Sequence, residues 1–115
     1  MSNSIVLDLP KPPSVNRTRR MNWAASRDIA RWKADADQLV LSQRVRRPTH
    51  PVPRYELHLT FDDSGKLDLD NGLKQVIDYL RRIEITENDA RNNLRRIVAE
   101  WGDVPAGCRV EVMPI

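Results

Sequence analysis

Tyr55-Glu56-Leu57-His58-Leu59-Thr60-Phe61 alternates apolar and polar residues without a break. Side chains two apart share one face of an extended chain, so Tyr55, Leu57, Leu59 and Phe61 form an inward row and Glu56, His58 and Thr60 an outward one. That is a half-buried strand covered on one side only. Asp62-Asp63-Ser64-Gly65 ends it in a loop. From about Asp70 to Arg82 the period lengthens: Leu73, Val76, Ile77 and Leu80 recur at helical spacing, and Asp70 or Asn71 can cap the start.

Further along, Glu84 to Asn93 is polar and turn-like, and Leu94 to Trp101 reads as a strand with Arg95, Ile97, Ala99 and Trp101 on one side. After the Gly102–Gly107 turn region, Cys108 to Met113 alternates again with Cys108, Val110 and Val112 inward, so the last two strands can pair as a terminal hairpin. Upstream of Tyr55, Arg44 to Pro53 is a basic, proline-rich connection. From Ser26 to Gln43, Ile29, Trp32, Ala36, Leu39 and Val40 mark an amphipathic helix, with Ser26 as N-cap and Asp28 in the first turn. Lys11-Pro12-Pro13-Ser14-Val15-Asn16-Arg17-Thr18-Arg19-Arg20 is a basic loop, and Ser4 to Leu9 is a short strand that Pro10 ends. The expectation is an α+β fold in the order β-α-β-α-β-β, a mixed sheet with helices on one face, in a single domain over residues 1–115.

Composition narrows the function classes. With 40% hydrophobic and 30% charged residues the chain is globular, and 5% aromatics leave the core to Val, Ile and Leu. No apolar run approaches the roughly 18 residues that span a bilayer, so no membrane partner is expected. Met1-Ser2-Asn3-Ser4-Ile5 lacks a basic segment before an apolar stretch, and Cys108 is the single cysteine; a cytoplasmic protein with a buried structural thiol is expected. The net charge of +3 is unevenly spread: residues 1–60 carry +6 and residues 61–115 carry −3. A basic half suits a polyanion and an acidic half can hold metal, although two ordinary solvated faces would look the same.

The informative stretch is Leu67-Asp68-Leu69-Asp70-Asn71-Gly72-Leu73-Lys74. Asp68 and Asp70, two apart, can aim at one point, and Lys74 lies one helical turn beyond Asp70. Paired carboxylates repel unless a cation intervenes, and hard oxygen ligands suit Mg²⁺. An EF-hand is excluded: counted from Asp68, its glycine belongs at position six but Gly72 falls at five, and its Glu belongs at twelve, where Tyr79 stands. The chain is also too short for the nucleotide-binding domain that carries the Asp-x-Asp of sugar-nucleotide enzymes. A purely structural alternative has Asp70 as a cap, Lys74 paired with Asp78, and Asp89 as a first-turn acid after a Thr86 cap.

Asp68-Leu69-Asp70-Asn71 with Lys74 resembles the Asp-Leu-Asp-Asn-x-x-Lys signature of the RusA family of Holliday junction resolvases. Asn88-Asp89-Ala90 is similar to that family's later acidic motif, and Leu9-Pro10-Lys11-Pro12-Pro13-Ser14-Val15-Asn16-Arg17 to its opening. The resemblance implies Asp68, Asp70, Lys74 and Asp89 as catalytic residues, with the three carboxylates holding Mg²⁺, for which Mn²⁺ substitutes. It also implies a homodimer making paired nicks in four-way DNA. Lys11, Asn16, Arg17, Arg19 and Arg20 are the expected DNA contacts. Arg44, Arg46 and Arg47 form a second basic group, read as a solvated surface, while Arg81, Arg82, Arg95 and Arg96 can pair with local acids. Trp23 suits packing near the helix start or stacking on a base, and His50 and His58 lack ligand spacing. Asp62-Asp63-Ser64-Gly65-Lys66-Leu67 departs from the basic stretch expected before the first catalytic Asp, which leaves other branched DNA open as substrate. A non-catalytic DNA-binding module and a small metal-dependent ribonuclease are the alternatives.

Overall fold

A computed structural model describes residues 4–13, 23–63 and 72–115, with the side chains of residues 23–25 left aside. The elements are β1 (Ile5–Pro10), α1 (Trp23–Ser42), β2 (Tyr55–Asp62), α2 (Leu73–Arg82), β3 (Leu94–Gly102) and β4 (Gly107–Pro114). The α+β class and the element order are as the alternation and helical spacing imply.

The sheet order is β1-β4-β2-β3. β4 runs antiparallel to both β1 and β2, and β3 runs parallel to β2, so the sheet is mixed. The registers align Ile5, Val112 and Leu57 in one row, Leu7, Val110 and Leu59 in the next, and Leu9, Cys108 and Phe61 in a third. All nine are buried. Trp32, Ala36 and Val40 of α1 and Val76, Tyr79 and Leu80 of α2 join the same core, with the Trp32 and Tyr79 rings 5.4 Å apart edge to face. The other face is polar, crossed by Arg109–Asp8 at 3.0 Å and His58–Glu100 at 2.9 Å. Both helices therefore lie on one face, and His58 has Glu100 as a hydrogen-bond partner.

The terminal hairpin does not form. β3 and β4 lie on opposite sides of β2. A helix between two neighbouring strands carries the chain back to its starting end, so β2-α2-β3 makes a parallel crossover unit. The chain then passes over the end of β2: Asp63 N–H donates to Gly102 O at 2.9 Å, and Val104 N–H to Asp62 Oδ1 at 3.3 Å. β4, whose Cys108, Val110 and Val112 are wholly buried, takes the inner position. β3, with no fully buried residue, takes the edge.

Two caps also differ from expectation. α1 begins at Trp23, so Ser26 is inside the helix; Ala24 and Ala25, the strongest helix formers, extend it by a turn. At α2 the N-cap is Gly72, with no side-chain cap hydrogen bond. Its buried side is Gln75, Val76, Tyr79 and Leu80, with Leu73 and Ile77 at the core's margin. Tyr79 turns inward because its hydroxyl finds an acceptor, donating to Asp37 Oδ1 at 2.7 Å.

Candidate functional site

The ends of β1, β2 and β3 and the start of α2 meet at one end of the sheet. A Cβ on Gly72 would lie 2.8 Å from Pro12 Cγ and 3.0 Å from Phe61 Cε1, so only glycine lets α2 begin this close to them. Lys11 Nζ donates to Asp62 O at 3.2 Å and stands 5.9 Å from the centre of the Trp101 ring. Asp63 and Gly72, the described residues that bracket Asp68 and Asp70, both belong to this end. Asp68, Asp70 and Asn71 themselves lie outside the described residues, as do Asn16, Arg17, Arg19 and Arg20 and the side chain of Trp23.

Lys74 is in the first turn of α2. Its Nζ lies 3.6 Å from Asp78 Oδ2, and its side chain is 78% exposed. Arg81, on the same stripe of the helix, places Nη1 3.4 Å from Asp89 Oδ1. Lys74, Asp78, Arg81 and Asp89 thus alternate in charge along the outer side of α2. Such exposed pairs are worth about 0–1 kcal/mol, so Lys74 can exchange Asp78 for a stronger anion at little cost.

Asp89 lies at the other end of the sheet. Tyr55, first residue of β2, donates its hydroxyl to Asn88 O at 2.5 Å, and Asp89 N–H donates to Asn88 Oδ1 at 2.9 Å. Val52 bridges to Thr86, and Glu87 N–H donates to Val52 O at 2.9 Å, fixing the whole turn beside the start of β2. The seven residues from Tyr55 to Phe61 span about 20 Å of strand. Lys74 and Arg81 are separated by about 10 Å along the helix axis. Lys74 and Asp89, the two described members of the expected set, are therefore not brought together within one chain.

Residues 87–93 form no helix, so Thr86 caps none. Its Oγ1 is buried without a hydrogen-bond partner of good geometry, although it lies close enough to Tyr55 to favour that residue's ionised form. Burial pushes the Tyr55 phenol up; Thr86 opposes part of this, and the Asp89 charge adds to it. Tyr55 and Arg81 are thus the neighbours that set the environment of Asp89. The signal for Tyr55 was available: an inward tyrosine must find an acceptor for its hydroxyl. Arg81 and Arg82 do pair with acids, the latter with Asp37 at 3.2 Å.

Among the described residues no three His, Cys, Asp or Glu side chains converge as metal ligands. Asp89 is the one described carboxylate of the expected metal set, and a guanidinium already holds it. Among the same residues no helix is long and apolar enough to cross a membrane. No family model matches the chain, and no curated protein matches it.

Proposed function

We propose that this chain is a divalent-metal-dependent endonuclease of branched DNA, of the kind its resemblance to RusA resolvases implies. The observation that carries the reading is the ordered charge set Asp68, Asp70, Lys74 and Asp89, spaced across an α+β frame whose β2 and α2 bracket the first two. Asp68 and Asp70 would hold Mg²⁺ or Mn²⁺, which when bound supplies an activated water and neutralises phosphodiester charge. Lys74, loosely held by Asp78, is free to turn its ammonium to a phosphate oxygen. Lys11, with Asn16, Arg17, Arg19 and Arg20, would fix the sugar-phosphate backbone.

The position of Asp89 requires a homodimer on this reading. Among the described residues β3 has a neighbouring strand on one side only. The opposite edge of the sheet is covered: Gln43 accepts from Asp8 N–H at 2.8 Å and donates to Asp8 O at 2.7 Å, and Trp32 Nε1 donates to Pro10 O at 2.7 Å. A bare edge invites a second strand. Antiparallel pairing of β3 about a two-fold axis at Val98 sets Arg96 opposite Glu100 of the partner subunit and Ile97 opposite the partner's Ala99. Exposed Ile97 and Trp101 would be covered. The start of β3, with Asp89 in the turn before it, then lies against the partner's Gly102, at the partner's Asp63–Gly72 end. Each cleavage site would combine Asp68, Asp70 and Lys74 of one chain with Asp89 of the partner subunit, and two-fold symmetry gives the paired sites that a four-way junction needs.

The test is nicking of a labelled four-way junction and a matched linear duplex, with and without Mg²⁺, by wild type and Asp70→Asn. Paired, Mg²⁺-dependent nicks on the junction, lost in the variant, are expected. Tight junction binding without cleavage in Mg²⁺ or Mn²⁺ would make the chain a binding module; preferential cutting of RNA would make it a ribonuclease.

A further inference from the structure

From sequence alone Arg46 and Arg47 read as a solvated surface, and the fold gives them a more specific setting. Where β1 begins and β4 ends, Ser4, Arg46, Arg47, Thr49, Val52 and Pro114 line an open pocket of about 410 Å³. Arg44, with φ 53°, breaks the end of α1 and turns the chain back toward the sheet. This places two consecutive arginines on one concavity instead of on opposite sides of an extended strand.

Their partners distinguish them from the other arginines nearby. Arg81, Arg82 and Arg109 each have a carboxylate in ion-pair range. Among the described residues neither Arg46 nor Arg47 has one. Arg47 Nη1 donates to Ile83 O at 3.2 Å, which anchors its guanidinium while leaving its other N–H groups for a ligand. The pocket thus carries two positive charges with no ion-paired carboxylate among the described residues, and an oxyanion entering it would supply the missing counter-charge. Thr49 adds a hydroxyl, and Val52 and Pro114 supply apolar wall.

We propose that this pocket binds a phosphate of a nucleic-acid backbone, as a second contact at the end of the sheet opposite the Asp63–Gly72 end of the same chain. The inference rests on DNA being the ligand, as in the function proposed above. Its openness to solvent and the flanking, exposed Arg44 and Arg54 suit a phosphate within a polymer, with charge continuing to either side. Ile5 lines the pocket and Lys11 lies six residues on, a span of about 20 Å. Along one strand of duplex, with a phosphate every 3.4 Å or so, that is about six phosphates. A duplex arm leaving the Asp63–Gly72 end of the same chain would therefore reach the pocket only when it is longer than about six base pairs.

The test is metal-free binding of four-way junctions with 4- or 16-base-pair arms, measured by anisotropy across a salt series, with wild type, Arg46→Gln and Arg47→Lys. Among the described residues Arg46 has no partner to lose, so unchanged thermal unfolding is expected for Arg46→Gln. On the long arms its log K against log salt slope should fall by about 0.9 per pocket, or about 1.8 for the two pockets of the proposed homodimer, and on the short arms by less. Arg47→Lys keeps the charge but loses the fork, and should weaken binding while preserving most of the slope. An unchanged slope on both substrates overturns the proposal. So does a thermal shift by inorganic phosphate that depends on Arg46 while DNA binding does not, which would make the pocket a site for small phosphates. Because no metal is present, absence of nuclease activity leaves the result readable, and normal nicking with an unaltered slope would sink this proposal alone.

Discussion

Mixing two inactive variants should restore cutting. Asp70→Asn removes a carboxylate that follows β2, and Asp89→Asn removes one from the turn before β3. Within one chain, Asp63 and Gly72, which bracket Asp70 in sequence, stand at the end of β2 opposite Asp89, about 20 Å away, whereas two ligands of one Mg²⁺ each lie about 2.1 Å from it. If Asp89 serves the partner's site, a mixed dimer holds one site with both carboxylates intact and one with neither. Equal mixing with free exchange makes about half of the dimers mixed, so roughly a quarter of the sites should be active. The product should be single nicks in a junction, with few paired cuts. The assay is junction nicking in Mg²⁺ by each variant alone and by the two after joint refolding. Silence of the mixture, with mixed dimers demonstrated by mass, would refute the shared site. The proposed interface has its own check. Glu100→Arg opposes two like-charged pairs across the two-fold axis, a swing of about 1–4 kcal/mol, or roughly fivefold to several hundredfold in dimer Kd. Adding Arg96→Glu should recover it by sedimentation, and failure of either change to alter association would exclude pairing in this register.

Gly107→Ala should destabilise the protein by about 2–4 kcal/mol, read as a Tm lower by roughly 8 °C or more. Gly107 has φ +125°, and its Cβ would fall 2.3 Å from the Lys11 backbone nitrogen. Gly102→Ala meets only the end of the Thr60 side chain, so a loss under about 1 kcal/mol is expected, and equal effects would contradict the reasoning. Burial, with a smaller contribution from Asp8, pushes the Cys108 thiol up to about 12 from 9.0. Its stabilising contribution is complete below the unfolded value and is lost as pH rises from about 9 toward 12, by up to about 1.4 kcal/mol per unit. Urea midpoints from pH 8 to 11 should fall less steeply in Cys108→Ala than in wild type, and parallel slopes would show that the thiol is not linked to folding.

Much of the frame was legible because strand and helix periods are local properties. Tyr55, Leu57, Leu59 and Phe61 had to share a face, and so did Cys108, Val110 and Val112; all seven are buried. The structural alternative for Lys74 was also legible, since a carboxylate four residues away on a helix must be its neighbour, and Asp78 is. Pairing partners were less so. The Gly102–Gly107 connection can close a hairpin or step across one strand, and local sequence does not choose. The choice comes from competition for the interior, which β4 wins because its inward row is wholly apolar while β3 carries Arg95, Arg96 and Glu100.

The same limit governs the chemistry. Sequence by itself determined which charged residues exist, their order, and which side of a helix or strand each occupies. Tertiary structure alone decided that Asp89 belongs at the start of β2 with Arg81 and Tyr55, and that Arg46 and Arg47 share a concavity with Ser4 and Pro114 from the two ends of the chain. These relations depend on which strands pair and in which direction, and that is settled by burying the most apolar surface over the whole sheet, not by any one segment of the chain.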